Sequence, residues 1–183
     1  KYSDVDVETW IIPGKGANFP RGYEMYKGGQ LVAKAICNWA LVDTVTGKLI
    51  ASKDYDMGTY SMDEAPELSI PRRFRISKEL KFQEVESSKV AMSMIDINMH
   101  MNNTVYASKL YDNIDDAEKY FITSINLRYV HEAPLGSEFK VYRSDAVDPG
   151  EMDCRAEKLV YFYTEADGLL NLEAAVGLKK VII

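Results

Sequence analysis

The sequence is poor in the residues on which several classes of protein depend. It has two cysteines among its 183 residues, Cys37 and Cys154. Two cysteines cannot form a disulfide framework or a cysteine-based zinc site, so we expect a reducing cytosol and two buried thiols that act as small hydrophobes. No apolar stretch approaches the roughly 18–20 residues that cross a bilayer. The longest candidate, Leu31 to Val42, is interrupted by Lys34 and Asn38.

Composition and charge exclude further classes of protein. Hydrophobic residues make up 46% of the chain and charged residues 27%, which is ordinary for a globular protein and too apolar for a disordered one. Lys and Arg number 22 against 28 Asp and Glu, a net charge of −6, so broad nucleic-acid binding is not expected. The chain opens Lys1-Tyr2-Ser3-Asp4-Val5, which already alternates like a strand and predicts no signal peptide.

Most of the chain has the alternation and the turn chemistry of antiparallel strands. The predicted strands are Asp4 to Trp10, Arg21 to Tyr26, Leu31 to Val42, Glu138 to Tyr142, Arg155 to Tyr163 and Leu169 to Ile183. A polar, proline-bearing stretch separates the two groups. We therefore predict the strands of a first module over residues 1–60, a linker over 61–78 and a second module over 79–183.

The two halves have similar patterns, which predicts an internal duplication. Residues 3–8 align with residues 137–142, and residues 26–31 align with residues 165–170. In the second half the strands follow a helix, so the same spacing would place the helix of the first copy before residue 1. We expect the chain to lack the front of its first module, about sixty residues by the spacing of the second copy.

The helix of the second half is predicted near Asn103 to Phe121. Its apolar stripe comprises Tyr106, Leu110, Ile114, Ala117 and Phe121. A helix beside antiparallel strands, present in each copy, predicts an α+β fold.

The candidate catalytic residues lie in a segment of alternating polar and apolar residues just before this helix. Asp96, Asn98 and His100 fall on one face of an extended segment, with apolar residues on the other face. A carboxylate, an amide and an imidazole side by side can support a proton transfer near neutral pH. The alternatives stay open from the pattern alone: a solvent-facing strand for this run, and a simple helix cap for Asn102 or Asn103.

Residues 96–106, Asp-Ile-Asn-Met-His-Met-Asn-Asn-Thr-Val-Tyr, resemble the Asp-x-Asn-x-His-x-Asn-Asn-x-x-Tyr signature of acyl-acyl-carrier-protein (acyl-ACP) thioesterases. Three weaker matches follow in family order: residues 7–10 with Val-x-Thr-Trp, 38–43 with Trp-x-x-x-Asp, and 127–132 with Leu-x-Tyr-x-x-Glu. These enzymes are tandem hot-dog modules, in which antiparallel sheets wrap a long helix. The resemblance therefore implies a double hot-dog fold, with a first module incomplete at its N-terminus and a catalytic second module.

The resemblance also implies a catalytic network of Asp96, Asn98, His100 and Glu132. Several plant members carry a cysteine directly after this glutamate, where this chain has Ala133. Hydrolysis by activated water, without a covalent acyl-enzyme, is therefore the simpler interpretation, and the base is either Glu132 or His100. Backbone N–H groups at the helix start, at Asn102 and Asn103, would stabilise the oxyanion.

The densest basic cluster in this acidic chain is formed by Arg72, Arg73 and Arg75. Acyl carrier protein is acidic, so the cluster is a candidate docking site; a solvated end of the linker is the alternative. His131, beside Glu132, would point to the opposite face of its strand and is not assigned to the site.

The leading hypothesis is hydrolysis of fatty acyl-ACP to free fatty acid and ACP in fatty acid biosynthesis, with no cofactor and no metal. An acyl-CoA thioesterase of the same fold and a non-catalytic sensor of acyl thioesters stay open, although the intact Asp96, Asn98 and His100 disfavour a sensor. The expected partners are acyl-loaded ACP and its fatty acyl thioester, and a homodimer is left open. The expected compartment is the cytoplasm, a bacterial cytosol before a plastid stroma.

Overall fold

A computed structural model describes residues 3–181 of the chain. Its contacts divide the chain into two compact units, Lys1–Leu68 and Ser69–Ile183. The division falls inside the predicted linker, yet Phe74 and Ile76 of that stretch pack on the sheet of the second unit. The module bounds 1–60 and 79–183 stay predictions. Among residues 3–181, no helix is both long enough and apolar enough to cross a membrane.

The first unit contains a three-stranded antiparallel sheet in the order β1-β2-β3. Its strands are β1 (Asp6–Ile11), β2 (Phe19–Lys27) and β3 (Gln30–Trp39). Gly28 and Gly29 join the paired residues Lys27 and Gln30 with φ angles of 56° and 76°. A two-residue hairpin turn requires this left-handed region, which glycine adopts without steric cost.

The second unit contains a five-stranded antiparallel sheet in the order β4-β6-β7-β8-β5. Its strands are β4 (Phe82–Lys89), β5 (Tyr120–Tyr129), β6 (Glu138–Ser144), β7 (Lys158–Ala166) and β8 (Leu169–Lys180). The alternation predicted the three strands β6, β7 and β8 but not the two edge strands. The predicted strand end at Ile183 lies outside the described residues.

Three strands of each unit share the same antiparallel order, and the duplication stays a prediction. β6, β7 and β8 repeat the antiparallel order of β1, β2 and β3. Asp167 and Gly168, with φ angles of 49° and 77°, form a two-residue turn between Ala166 and Leu169. The same turn chemistry therefore closes the corresponding hairpin in each unit.

Helix α1 (Asn103–Asp112) has ten residues and is shorter than predicted. Tyr106 and Leu110 are buried, as the predicted stripe requires. The prediction that the stripe extends to Phe121 is wrong, because Phe121 lies in β5 and is 62% exposed.

The chemistry of the residues after α1 explains its early end. Asn113 caps the helix, and Asp115 and Asp116 follow it, Asp116 with a φ of 53°. Asparagine and aspartate favour turns and the left-handed region over helix, and a negative charge is unfavourable at a helix C-terminus.

Each face of the second sheet has its own apolar cluster. The helix side is the main core, formed by buried residues that include Tyr106, Leu110, Phe139, Phe162 and Leu172. On the opposite face, Phe74 and Ile76 pack over Tyr161, with the Phe74 and Tyr161 ring centroids 6.3 Å apart. The helix side carries the candidate site.

The prediction of buried thiols is wrong for both cysteines. Cys37 in β3 and Cys154, in the turn before β7, are exposed and free. The alternation of β3 resembles that of a half-buried strand, but both of its faces are largely exposed.

Candidate active site

The run that carries the signature is a tight turn and not the extended segment that its alternation predicts. Ile95 pairs with Met101, and the backbone N–H of Asp96 donates to the carbonyl of His100 at 2.9 Å. Met99 takes a φ of 63° at the apex, and Ile97 is 94% exposed. The prediction of an extended segment with polar and apolar residues on opposite faces is therefore wrong.

The carboxylate of Asp96 closes this turn. Its Oδ1 accepts a hydrogen bond from the backbone N–H of Asn98 at 2.8 Å, and its carbonyl accepts from the N–H of Met99 at 3.1 Å. Aspartate favours such turns because its side chain can bond the backbone two residues further on. Asp96 thus contacts Asn98, Met99 and His100 through the backbone of the turn.

A second short pairing brings His100 to Glu132. His100 pairs with Pro134, and the N–H of Met101 donates to the carbonyl of Ala133 at 2.9 Å. Nε2 of His100 then lies 3.1 Å from Oε2 of Glu132. The His100 side chain is 33% exposed and that of Glu132 is 71% exposed, so the pair is open to water.

The remaining predicted polar residue, Asn98, is exposed on the same turn. Among the described residues, its side-chain amide has no hydrogen-bond partner within the protein. The amide is therefore available to a water or a substrate carbonyl, and it lies on the same turn as His100.

At the start of α1, the two asparagines have different roles. Asn102 is the N-cap: its Oδ1 accepts from the N–H of Thr104 at 2.9 Å, and its own N–H donates to the carbonyl of Met94 at 2.8 Å. The N–H of Asn103 meets no acceptor within residues 3–181. Of the two predicted oxyanion donors, the backbone of Asn103 alone is therefore available.

Sequence reasoning gave no role to three polar residues whose hydrogen bonds reach α1 or one another. Asn171 in β8 is fully buried, and its side-chain amide donates to the hydroxyl of Tyr106 at 3.1 Å. The hydroxyl of Tyr129 donates to the carbonyl of Asn103 at 3.3 Å, which ties β5 to the start of α1. The third residue, Thr164 in β7, donates to Oδ1 of Asn171 at 2.8 Å. A single polar residue within an apolar strand, as in Leu170-Asn171-Leu172, was the available signal.

Burial and charge together keep Tyr106 a neutral phenol. Burial raises the pKa of Tyr106, the hydrogen bond from Asn171 lowers it by less, and the negative charge of Glu132, the smallest of the three influences, raises it. The electrostatic influence of Glu132 therefore reaches the ring that begins the buried stripe of α1.

The site has no sulfur nucleophile at the position after the glutamate. Ala133 is fully buried, and the exposed Cys154 lies in the turn before β7. Nδ1 of His131 lies 2.8 Å from the carbonyl oxygen of Leu170. No cluster of three metal-ligand side chains occurs within residues 3–181.

The basic cluster is fixed to the outer face of the sheet. Phe74 and Ile76 pack inward, while Arg72, Arg73 and Arg75 are exposed. None of the three guanidinium groups forms an ion pair with another residue in the described part of the chain. The arginines therefore present free positive charge on an anchored segment.

Comparison with known proteins places these residues in context. Residues 77–162 match the family described as Acyl-ACP thioesterase C-terminal domain. That segment contains the turn, the start of α1 and Glu132. A comparison with curated proteins found no match.

Two solved structures are similar to nearly the whole chain. An acyl-ACP thioesterase from Bacteroides thetaiotaomicron matches with a TM-score of 0.79 and 20% identity, over 98% of this chain and 70% of that one. The 12:0-ACP thioesterase from Umbellularia californica matches with a TM-score of 0.74 and 17% identity, over 97% of this chain and 68% of that one. At these identities the likeness establishes the fold, which is the hot-dog fold.

The fold and the family match define a thioester hydrolase. More narrowly, residues 77–162 match the acyl-ACP thioesterase family, and the resemblance that residues 96–106 carry is confirmed.

Proposed function

We propose that the chain hydrolyses fatty acyl-ACP to free fatty acid and ACP, as in fatty acid biosynthesis. The observation that carries the proposal is the 3.1 Å distance between Nε2 of His100 and Oε2 of Glu132, beside the turn that leads into α1. An imidazole and a carboxylate at this distance can take a proton from water and return it near neutral pH.

The proposed reaction has two steps. Water attacks the carbonyl carbon of the thioester while the His100–Glu132 pair takes its proton, and the N–H of Asn103 donates to the oxyanion that forms. As the tetrahedral intermediate collapses, the C–S bond breaks and the pair returns the proton to the sulfur. The products are a carboxylic acid and the thiol of the carrier, and no protein thiol takes part.

The other two residues of the turn support this chemistry. Asp96 is proposed as a positioning residue, because its contacts are to the backbone of the turn. Asn98 is proposed to orient the water or the substrate carbonyl with its exposed amide. Glu132 and His100 remain alternatives for the first proton acceptor.

The basic cluster supports ACP as the carrier. Arg72, Arg73 and Arg75 carry unpaired positive charge, whereas the chain as a whole has a net charge of −6. Docking of an acidic carrier must therefore rely on a local patch, because the overall charge opposes it.

The proposal extends to module organisation and compartment. Strands β1–β3 are proposed as sheet strands of a first hot-dog module, since they repeat the order of β6–β8. A reducing cytosol or stroma, where acyl-ACP is made, is the proposed compartment.

The direct test is turnover of one fatty acyl group on ACP and on CoA. We expect faster hydrolysis of acyl-ACP, and loss of that activity in His100→Ala. Glu138→Gln, an exposed carboxylate on β6, is the control and should behave as the wild type. Tight binding of acyl-ACP without turnover would support a sensor, and faster turnover of acyl-CoA would support the CoA alternative; each would contradict the proposal.

A further inference from the structure

Asn171 is a fully buried polar residue in the middle of the second unit. It lies in β8 between Leu170 and Leu172, and its side chain is 0% exposed. A buried amide costs free energy unless its hydrogen bonds are satisfied, so its partners indicate what it is there to hold.

All hydrogen-bonding groups of this side chain are engaged. Oδ1 accepts from the hydroxyl of Thr164 at 2.8 Å. One hydrogen of Nδ2 goes to the hydroxyl of Tyr106 at 3.1 Å, and the other goes to the carbonyl of His131 at 2.5 Å. Asn171 thus joins β7, helix α1 and the segment that follows β5.

The backbone of Asn171 holds the same segment. Its carbonyl accepts from the N–H of Val130 at 2.9 Å and from the N–H of His131 at 3.2 Å. The residue directly before Glu132 is therefore held at both its N–H and its carbonyl by one asparagine.

Glu132 needs such support because its own contacts are weak. Its side chain is 71% exposed, and its partner His100 is one-third exposed. A contact between two solvent-exposed side chains is too weak to hold a carboxylate at one position. The position of Glu132 must then come from the backbone on either side, where Asn171 holds His131 and the N–H of Met101 holds Ala133.

We propose that Asn171 is a positioning residue for the hydrolysis, acting through Glu132. Asn171 fixes the segment that follows β5, so that the carboxylate of Glu132 stays within reach of His100. Tyr106 links this segment to α1. The inference rests on the proposed function, because it assigns Asn171 to the same reaction. It predicts that the effect of Asn171 on turnover depends on the presence of the Glu132 carboxylate.

The test is a double-mutant cycle with Asn171→Ala and Glu132→Gln. A small misplacement of a reacting group costs up to about 10²-fold in rate, so Asn171→Ala should lower kcat about 10- to 100-fold and change KM less. In the Glu132→Gln background the same substitution should lower kcat less than about 3-fold, because the positioned carboxylate is already gone. Equal losses in both backgrounds, or an unchanged kcat, would overturn the inference.

A control separates positioning from general stability. Asp153 is 1% exposed and lies at β5 on the opposite side of the sheet, where it accepts from Thr123 at 2.7 Å. Asp153→Asn should lower the Tm while leaving kcat of the folded enzyme unchanged. If Asn171→Ala does not fold, Tyr106→Phe is the second variant, because it removes one of the two Nδ2 contacts. It should lower kcat by less, with the same dependence on the Glu132 carboxylate. Equal losses of kcat with and without that carboxylate would again refute the positioning role.

Hydrogen exchange distinguishes failure of this inference from failure of the proposed function. The amides of Val130 and His131 should exchange faster in Asn171→Ala, or in Tyr106→Phe, than in the wild type and in Asp153→Asn. A wild type with no thioesterase activity would contradict the proposed function alone. Unchanged exchange at Val130 and His131 would contradict the positioning role whether or not the enzyme is active.

Discussion

Nε2 of His100 lies 3.1 Å from Oε2 of Glu132, although helix α1 and strand β5 separate the two residues in the sequence. Two backbone contacts create this proximity: the pairing of His100 with Pro134 and the hydrogen bond from Met101 to Ala133. The chemistry of the pair therefore depends on main-chain geometry more than on the contact between the two side chains.

The first prediction concerns the pair as a unit. Glu132→Ala and His100→Ala should each lower kcat about 10²–10⁴-fold, because each removes part of the proton relay. The double variant should be little worse than the worse single variant, since groups that act together are not additive. Steady-state kinetics with acyl-ACP measure this, and multiplication of the two losses would show that the residues act independently.

The second prediction concerns the turn before α1. Oδ1 of Asp96 accepts from the N–H of Asn98, so Asp96→Asn, which keeps an oxygen acceptor, should retain most of the activity. Asp96→Ala removes the acceptor and should lower kcat about 10-fold or more through a displaced His100. Recovery by the asparagine variant is the diagnostic result. A loss as large in Asp96→Asn as in Asp96→Ala would mean that the negative charge itself is needed.

The sequence predicted the features that local chemistry determines. Strands β6, β7 and β8 lie where the alternation predicts strands, because alternation acts over a few positions. The signature over residues 96–106 predicted the family that residues 77–162 match.

Features that depend on distant partners were missed. The alternation of residues 96–100 fits an extended strand, and only the carboxylate of Asp96 and the pairing of Ile95 with Met101 make it a turn. Glu132 came from the family resemblance and not from any pattern, and Asn171 was not found at all. Its partners Thr164, Tyr106 and His131 lie on three other segments, which no local periodicity can bring together.

The third prediction concerns the carrier. Replacement of Arg72, Arg73 and Arg75 by Glu should lower kcat/KM for acyl-ACP several-fold at low salt, because steering of an acidic partner depends on local positive charge. Hydrolysis of acyl-CoA should change less, and the difference should shrink as salt screens the charges. Charge reversal of the three exposed lysines Lys89, Lys179 and Lys180 is the control for net charge. An equal loss in the control would assign the effect to overall charge and contradict docking at the arginines.

The last prediction concerns the dependence of stability on pH at the contact between α1 and β4. Glu86 in β4 binds Lys109 of α1, and it also accepts from the side chain of Asn113 at 2.8 Å and from Ser88 at 3.0 Å. Burial alone would raise the pKa of Glu86, but these hydrogen bonds and the charge of Lys109 outweigh burial and hold the pKa below its usual value of 4.5. Because the folded pKa is lowered, the stabilisation is complete above the unfolded pKa and disappears as the pH falls through the folded pKa.

Glu86→Gln should therefore lower the free energy of unfolding by about 1–3 kcal/mol at pH 7, because the amide cannot replace the charged hydrogen bonds. The difference between variant and wild type should narrow below about pH 4.5, where the wild-type carboxylate begins to protonate. Urea unfolding at several pH values measures both effects. Glu84→Gln, on the same strand but 43% exposed beside Lys140, is the matched control and should cost about 0–1 kcal/mol. A difference for Glu86→Gln that stays constant down to pH 3 would show that the side chain acts by packing and not by its charge.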